Sequence, residues 1–178
     1  MNTKITDKIS SDWYDSLLNP PAHFSLIYSN QIVSFEAHRA APAQIKPKSQ
    51  ASVFQSELWQ NDVAELFLHS GPDTPYLEVN LAPNGAWWMC WFDNIRQPRA
   101  EQPQFKGVKA SGIVDKDNWR ARIEIPAALL PPIEQLHINA TFILNSPQQS
   151  FHSWAPLSGK EPDFHQPDQF RPFLSHCS

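Results

Sequence analysis

Val63-Ala-Glu65-Leu-Phe-Leu-His69, Gly71-Pro-Asp-Thr-Pro75 and Tyr76-Leu-Glu78-Val-Asn80-Leu81 form the stretch whose reading decides the fold. Apolar side chains recur at every second position: Ala64, Leu66 and Leu68 in the first run, then Leu77, Val79 and Leu81 in the second. That period belongs to a β-strand, because successive side chains of a strand point to opposite faces. The Gly- and Pro-rich segment between the runs is turn chemistry. Pro83-Asn84-Gly85 follows as a hairpin turn, since Asn-Gly accepts positive φ, and Trp87 to Phe92 returns as a third strand.

The same alternation extends in both directions. Phe24 to Ser29 and Ile32 to Arg39 read as strands joined at Ser29-Asn30, and residues 40–52 read as a loop. Lys106 to Val114 and Trp119 to Ile125 form another pair, Pro126 to Leu130 a short helical turn, and His137 to Leu144 a further strand. Residues 1–22 read as a polar lead-in closed by Pro20-Pro21, with at most one helical turn around Trp13 to Leu18. Residues 96–104 read as irregular, and the chain after Asn145 as mostly loop. The expected organisation is a lead-in at 1–23 and one domain at 24–178. About eight to ten short strands with little helix imply an all-β antiparallel sandwich with jelly-roll or immunoglobulin-like layering.

Composition narrows the function. The chain has 178 residues, enough for one domain with a single core. A net charge of −4 without a basic stripe argues against a nucleic-acid or anionic-membrane partner. Five Gly, no Gly-rich phosphate loop and no Gly-x-Ser-x-Gly elbow leave the common nucleotide and hydrolase signatures unmet. No apolar run reaches bilayer length, the first ten residues do not form a signal peptide, and Cys90 and Cys177 do not make a disulfide framework. A reduced, cytoplasmic protein is the expectation.

Seven Trp and a 12% aromatic share need an explanation. Polar side chains on the second face of the strands are ordinarily a solvated sheet surface, and Glu36, Arg120 and Glu124 are read that way. Glu65, Glu78 and Asn80 are read as a concave face beside aromatic rings. Carboxylates and amides bond sugar hydroxyls, and indoles cover the apolar faces of pyranose rings. Trp59 stands on a loop entering a strand, and Trp154 in a Ser-Trp-Ala-Pro segment without strand periodicity. Trp87 and Trp91 share one side of their strand, Trp88 takes the other, and Trp119 is read as core. Asp62 with Glu65 invites comparison with a glycosidase pair, and His152, Asp163 and His165 with a metal set. Neither has a spacing that fixes the chemistry. A structural Ca²⁺ on loop carboxylates stays open.

In order, Leu58-Trp59-Gln-Asn-Asp62-Val-Ala-Glu65, Tyr76-Leu-Glu-Val-Asn80-Leu-Ala-Pro-Asn-Gly-Ala-Trp87, Phe92-Asp93 leading to Arg96, Trp119-Arg-Ala-Arg-Ile-Glu-Ile-Pro126 and Ser153-Trp154 with Gly159-Lys-Glu-Pro-Asp163-Phe-His165 resemble the DOMON-like superfamily. The similarity is to the branch related to type-9 carbohydrate-binding modules and covers residues 24–173. The resemblance implies a β-sandwich that binds a small or terminal sugar without catalysis and without a cofactor. Trp59 and Trp154 are the implied stacking pair, Glu65 the carboxylate and Arg96 the arginine, with Glu78 and Asn80 added by their place on the strand face. A second branch binds haem b through a Met and a His, which here puts forward Met89 and His152. A protein-interaction module is a further alternative. The sugar reading needs both indoles at one solvent-open slot floored by acidic and amide groups; either ring packed in the interior removes it and leaves only the all-β scaffold.

Overall fold

A computed structural model describes residues 3–71 and 74–174. Cys177 and the Pro72-Asp73 part of the expected turn lie outside the described residues. Two antiparallel sheets face each other. The first runs β1 (Thr3–Ser11), β2 (Leu17–Ser29), β3 (Ile32–Arg39), β9 (Trp119–Pro126), β8 (Lys109–Val114). The second runs β11 (Ser150–Ser153), β10 (His137–Leu144), β4 (Val63–His69), β5 (Tyr76–Leu81), β6 (Trp87–Asn94), β7 (Gln97–Pro98), with β12 (Arg171–Pro172) beside the start of β10. Short 3₁₀ turns are the helical content, including one at Ala127–Leu129 where the sequence predicts a turn.

The inner faces carry the alternating apolar residues. Phe24, Leu26, Val33, Phe35, Trp119, Ile123 and Ile125 of the first sheet meet Leu66, Leu68, Leu77, Val79, Met89, Ile138 and Phe142 of the second. The outer face of the first sheet is solvated as expected, with Glu36 3.6 Å from Arg120 and Arg122 2.8 Å from Glu124. The outer face of the second sheet is not. Every residue of β4 and β5 is buried, because the loop before β4 and the segment after β11 fold across it. Leu58, Val63, Phe67, Tyr76, Phe92, Phe164 and Phe170 make a second, smaller core there.

Several segments differ from the sequence expectation: β7 lies in the stretch read as irregular, and β8 starts at Lys109 rather than Lys106. Residues read as a lead-in form β1 and the start of β2. Ile5 and Ile9 alternate with polar neighbours and reach the core, a short pattern masked by the charged and hydroxyl residues around it. Pro20 and Pro21 do not end the strand because the β1 register shifts between Ile9 and Ser11, while β3 pairs only from Ala22 onward. The missing N–H groups therefore remove no ladder bond. The chain after Asn145 also contributes β11, which proves decisive for Trp154.

The β5–β6 turn lies against β8. A Cβ on Gly112 would collide with backbone atoms of Pro83, Asn84 and Gly85, so only hydrogen fits where the hairpin of one sheet meets a strand of the other. Gly112→Ala is expected to cost about 1–3 kcal/mol in urea unfolding, as overpacking does. Exposed Ser111→Ala should stay within about 0.5 kcal/mol. Equal stability of the two variants contradicts this packing.

Candidate functional site

The register of the second sheet builds a row across four strands. Thr141 of β10 faces Glu65 of β4, Glu65 faces Asn80 of β5, and Asn80 faces Trp88 of β6. The next row on the same face is Asn139, Phe67, Glu78 and Cys90. From these rows Glu65, Phe67, Glu78, Asn80 and Trp88 floor a cleft of about 540 Å³, in the size range of small-ligand sites. Its walls include Trp59, Phe92, Arg96, Phe151, Phe164 and His165.

Loops position the walls. Trp59 stands in a 3₁₀ turn, Leu58–Gln60, whose Leu58 is buried while Trp59 as a residue is 52% exposed. Asp62 fixes that loop: its Oδ2 accepts from the Gln44 N–H (3.0 Å) and its Oδ1 from the Asn145 N–H (2.6 Å). Burial pushes the Asp62 carboxyl up, and it lies off the cleft as a clamp between loops. The glycosidase pairing of Asp62 with Glu65 therefore has no geometric basis. Arg96, in the β6–β7 turn, donates to Asp163 Oδ1 at 2.8 Å, and its backbone N–H donates to the Tyr76 hydroxyl at 3.1 Å. The Tyr76 hydroxyl also hydrogen-bonds His165 Nδ1 at 2.6 Å, and His165 Nε2 lies 3.9 Å from Glu78 Oε2.

Burial dominates the electrostatics. It raises Glu65 well above the usual carboxylate range, the neighbouring Glu78 raises it further, and the Thr141 hydroxyl, donating to Oε2 at 3.0 Å, opposes this. Burial pushes Glu78 up to about 7 against the 3.0 Å bond from Asn80 Nδ2. Burial, then Arg96, lowers His165 to about 4. Between these values Glu78 and His165 are both neutral, so their 3.9 Å approach is not an ion pair. Asn80 Oδ1 is buried with no partner.

Five of the six residues singled out from sequence line this cleft: Trp59, Glu65, Glu78, Asn80 and Arg96. Trp154 does not, and its assignment to the slot is corrected. β11 continues the strand alternation: Phe151 faces the cleft and Ser153 reaches Asn139 on that face, while Trp154 turns to the inter-sheet core and is 7% exposed. Its N–H bonds Ala140 O at 2.9 Å, its indole Nε1–H donates to Asp7 Oδ2 at 2.8 Å, and its ring meets Phe24 edge-on. A slot closed by Trp59 and Trp154 is therefore excluded, and with it the sugar reading as the sequence alone supports it; any such reading must rest on the cleft itself. The rings that line the cleft with Trp59 are Phe67, Trp88, Phe92, Phe151, Phe164 and the imidazole of His165. Sequence parity already sets Trp88 apart from Trp87 and Trp91. Pairing it with Asn80 across the Asn84-Gly85 turn would have found it.

The other ligand sets separate. Met89 is in the inter-sheet core, and three strands lie between its β6 and the β11 of His152, about 19 Å at normal strand spacing. Both His152 nitrogens are engaged, Nδ1 with Ser11 O and Nε2 with Ser150 Oγ. His152, Asp163 and His165 do not converge, and no group of three or more metal-binding side chains occurs among the described residues.

No protein-family model matches the chain. The UPF0462 protein C4orf33 homolog of Mus musculus is 27% identical over 126 residues, 66% of this chain, and the chain spans 63% of that protein's length. Among solved structures, a candidate carbohydrate-binding protein from Bacteroides uniformis superposes with a TM-score of 0.68 at 16% identity, covering 94% of this chain and 84% of that one. A family 9 carbohydrate-binding module from Caldicellulosiruptor kristjanssonii in complex with cellotriose gives 0.59 at 12% identity, covering 96% and 78%. The same family's module from that organism with glucose gives 0.55 at 13%, covering 95% and 81%. The chain thus has the fold of family 9 carbohydrate-binding modules.

The raised Glu78 pKa has a stability consequence. In the folded protein the carboxyl holds a proton that the unfolded chain releases above about 4.5, so its contribution is complete below that pH and is lost as pH rises through about 7. The unfolding free energy of wild type relative to Glu78→Gln should fall by up to about 3 kcal/mol between those pH values. A difference that is flat, or that grows with pH, contradicts the assignment.

Proposed function

We propose that the chain binds a small carbohydrate in this cleft without transforming it. The observation that carries the reading is the row Glu65, Asn80 and Trp88 under an exposed Trp59: hydrogen-bonding groups on the floor and aromatic faces at the wall. The fold likeness to proteins solved with cellotriose and glucose supports it. Trp59 and Trp88 cover the apolar faces of the sugar ring, in place of the Trp59 and Trp154 pair. Glu65, Glu78 and Asn80 bond hydroxyls at the floor, and Arg96 at the rim. Because the hydroxyls shed water on entry, the expected affinity is on the order of micromolar to millimolar.

Titration calorimetry against a panel of mono- and disaccharides tests this. Heat is expected with at least one sugar, with affinity lowered roughly tenfold or more in Trp59→Ala and in Trp88→Ala. Trp154→Ala should instead lower stability by about 3–5 kcal/mol, the cost of emptying a buried indole site. No heat with any sugar, or affinity indifferent to both Trp59 and Trp88, removes the reading.

A further inference from the structure

The cleft's charge balance is uneven. At the rim, Glu57 is matched by Lys46 at 3.2 Å and Arg96 by Asp163 at 2.8 Å. On the floor, Glu65 and Glu78 are 3% and 7% exposed, and among the described residues no Lys or Arg nitrogen comes within 4 Å of either. Two carboxyl groups sharing a buried surface with no cation in contact, Arg96 acting on Glu78 only from the rim, is a costly arrangement, which structures normally relieve by pairing or protonation. A second observation points the same way. Asn80, a cleft residue opposite Glu65 and two positions from Glu78 on the same strand face, has an Oδ1 that is buried and has no donor.

The internal bonds leave a specific set of acceptors. Thr141 takes Oε2 of Glu65, and Asn80 Nδ2 takes Oε1 of Glu78. Oε1 of Glu65, Oε2 of Glu78 and Oδ1 of Asn80 are left for a ligand. A protonated amine offers three donors, and the surrounding Trp59, Trp88 and Phe92 faces attract a cation. We propose that the sugar recognised here is an amino sugar, whose primary ammonium is held by Glu65, Glu78 and Asn80 Oδ1. This rests on the carbohydrate reading and names the substrate class within it.

An ammonium on the floor draws Glu78 into its ionised form, so binding near pH 6.5 releases a proton to the buffer. The other titratable or charged groups facing the pair are Tyr76 beside Glu78 on β5, Cys90 opposite it on β6, Arg96 in the β6–β7 turn, Asp163 and His165 on the late loop and Glu57 at the rim.

The test is calorimetry at pH 6.5 in two buffers of different ionisation enthalpy. Glucosamine, galactosamine and mannosamine are compared with glucose, galactose, mannose and N-acetylglucosamine, and with ethanolamine as an amine without a ring. At least one amino sugar should bind about tenfold or more tightly than its neutral parent, the N-acetyl form and ethanolamine, with net proton release. Glu78→Gln should abolish both the preference and the release; the wild-type comparison stands if that variant fails to fold. Neutral sugars binding as well as amino sugars overturns the inference and leaves the carbohydrate reading intact. Ethanolamine matching the amino sugars, or amino-sugar binding without proton release, also overturns it. No binding by any probe overturns both.

Discussion

The pleat of the second sheet is the constraint on which the site depends. Because a strand alternates faces, the residues that put Leu66, Val79 and Met89 into the inter-sheet core necessarily put Glu65, Asn80 and Trp88 on the opposite face. A one-residue slip of β5 would bury two polar groups between the sheets and expose the core. The stability of the sandwich therefore fixes the floor of the cleft, and the loops need only supply walls. This division suits a binding site, where a rigid floor sets geometry and surface segments set shape.

The outer face of an antiparallel sheet is usually water-facing, and the first sheet keeps that habit. The second has become an interior of its own. Leu58 and Val63 lead in from one side, Phe164 and Phe170 from the other, and the Asp62 clamp ties the Trp59 loop to the chain leaving β10. Burial then changes the chemistry of what lies beneath. Carboxyls that would be ordinary surface anions are pushed toward neutrality, and the Tyr76–His165 bond holds the imidazole in place beside Glu78.

The legibility of this molecule in its sequence follows strand length. β3, β4, β5 and β10 alternate over six residues or more and could be read with nearly their observed bounds. With their parity came Glu65, Glu78 and Asn80. β1 was hidden because only Ile5 and Ile9 mark its inner face, and β11 because four residues carry too little period to announce a strand. The second omission moved Trp154 from a wall of the cleft to the core, since the side of an indole depends on knowing that a strand precedes it. Trp88 shows the converse. Its side was legible from parity, and its neighbour Asn80 needed only the hairpin register, but nothing local reveals that residues 54–62 and the segment after β11 close over that face.

The central claim is that the sugar meets Trp59 and Trp88 over the Glu65–Asn80 floor while Trp154 stays in the core. Nitrogen-15 NMR resolves the indole N–H signals, and titration with a bound sugar reads each ring separately. The account predicts that the Trp59 and Trp88 signals move together along one binding curve and that the Trp154 signal, bonded to Asp7, stays in place. Movement of the Trp154 signal with Trp59 and Trp88 unchanged would contradict it.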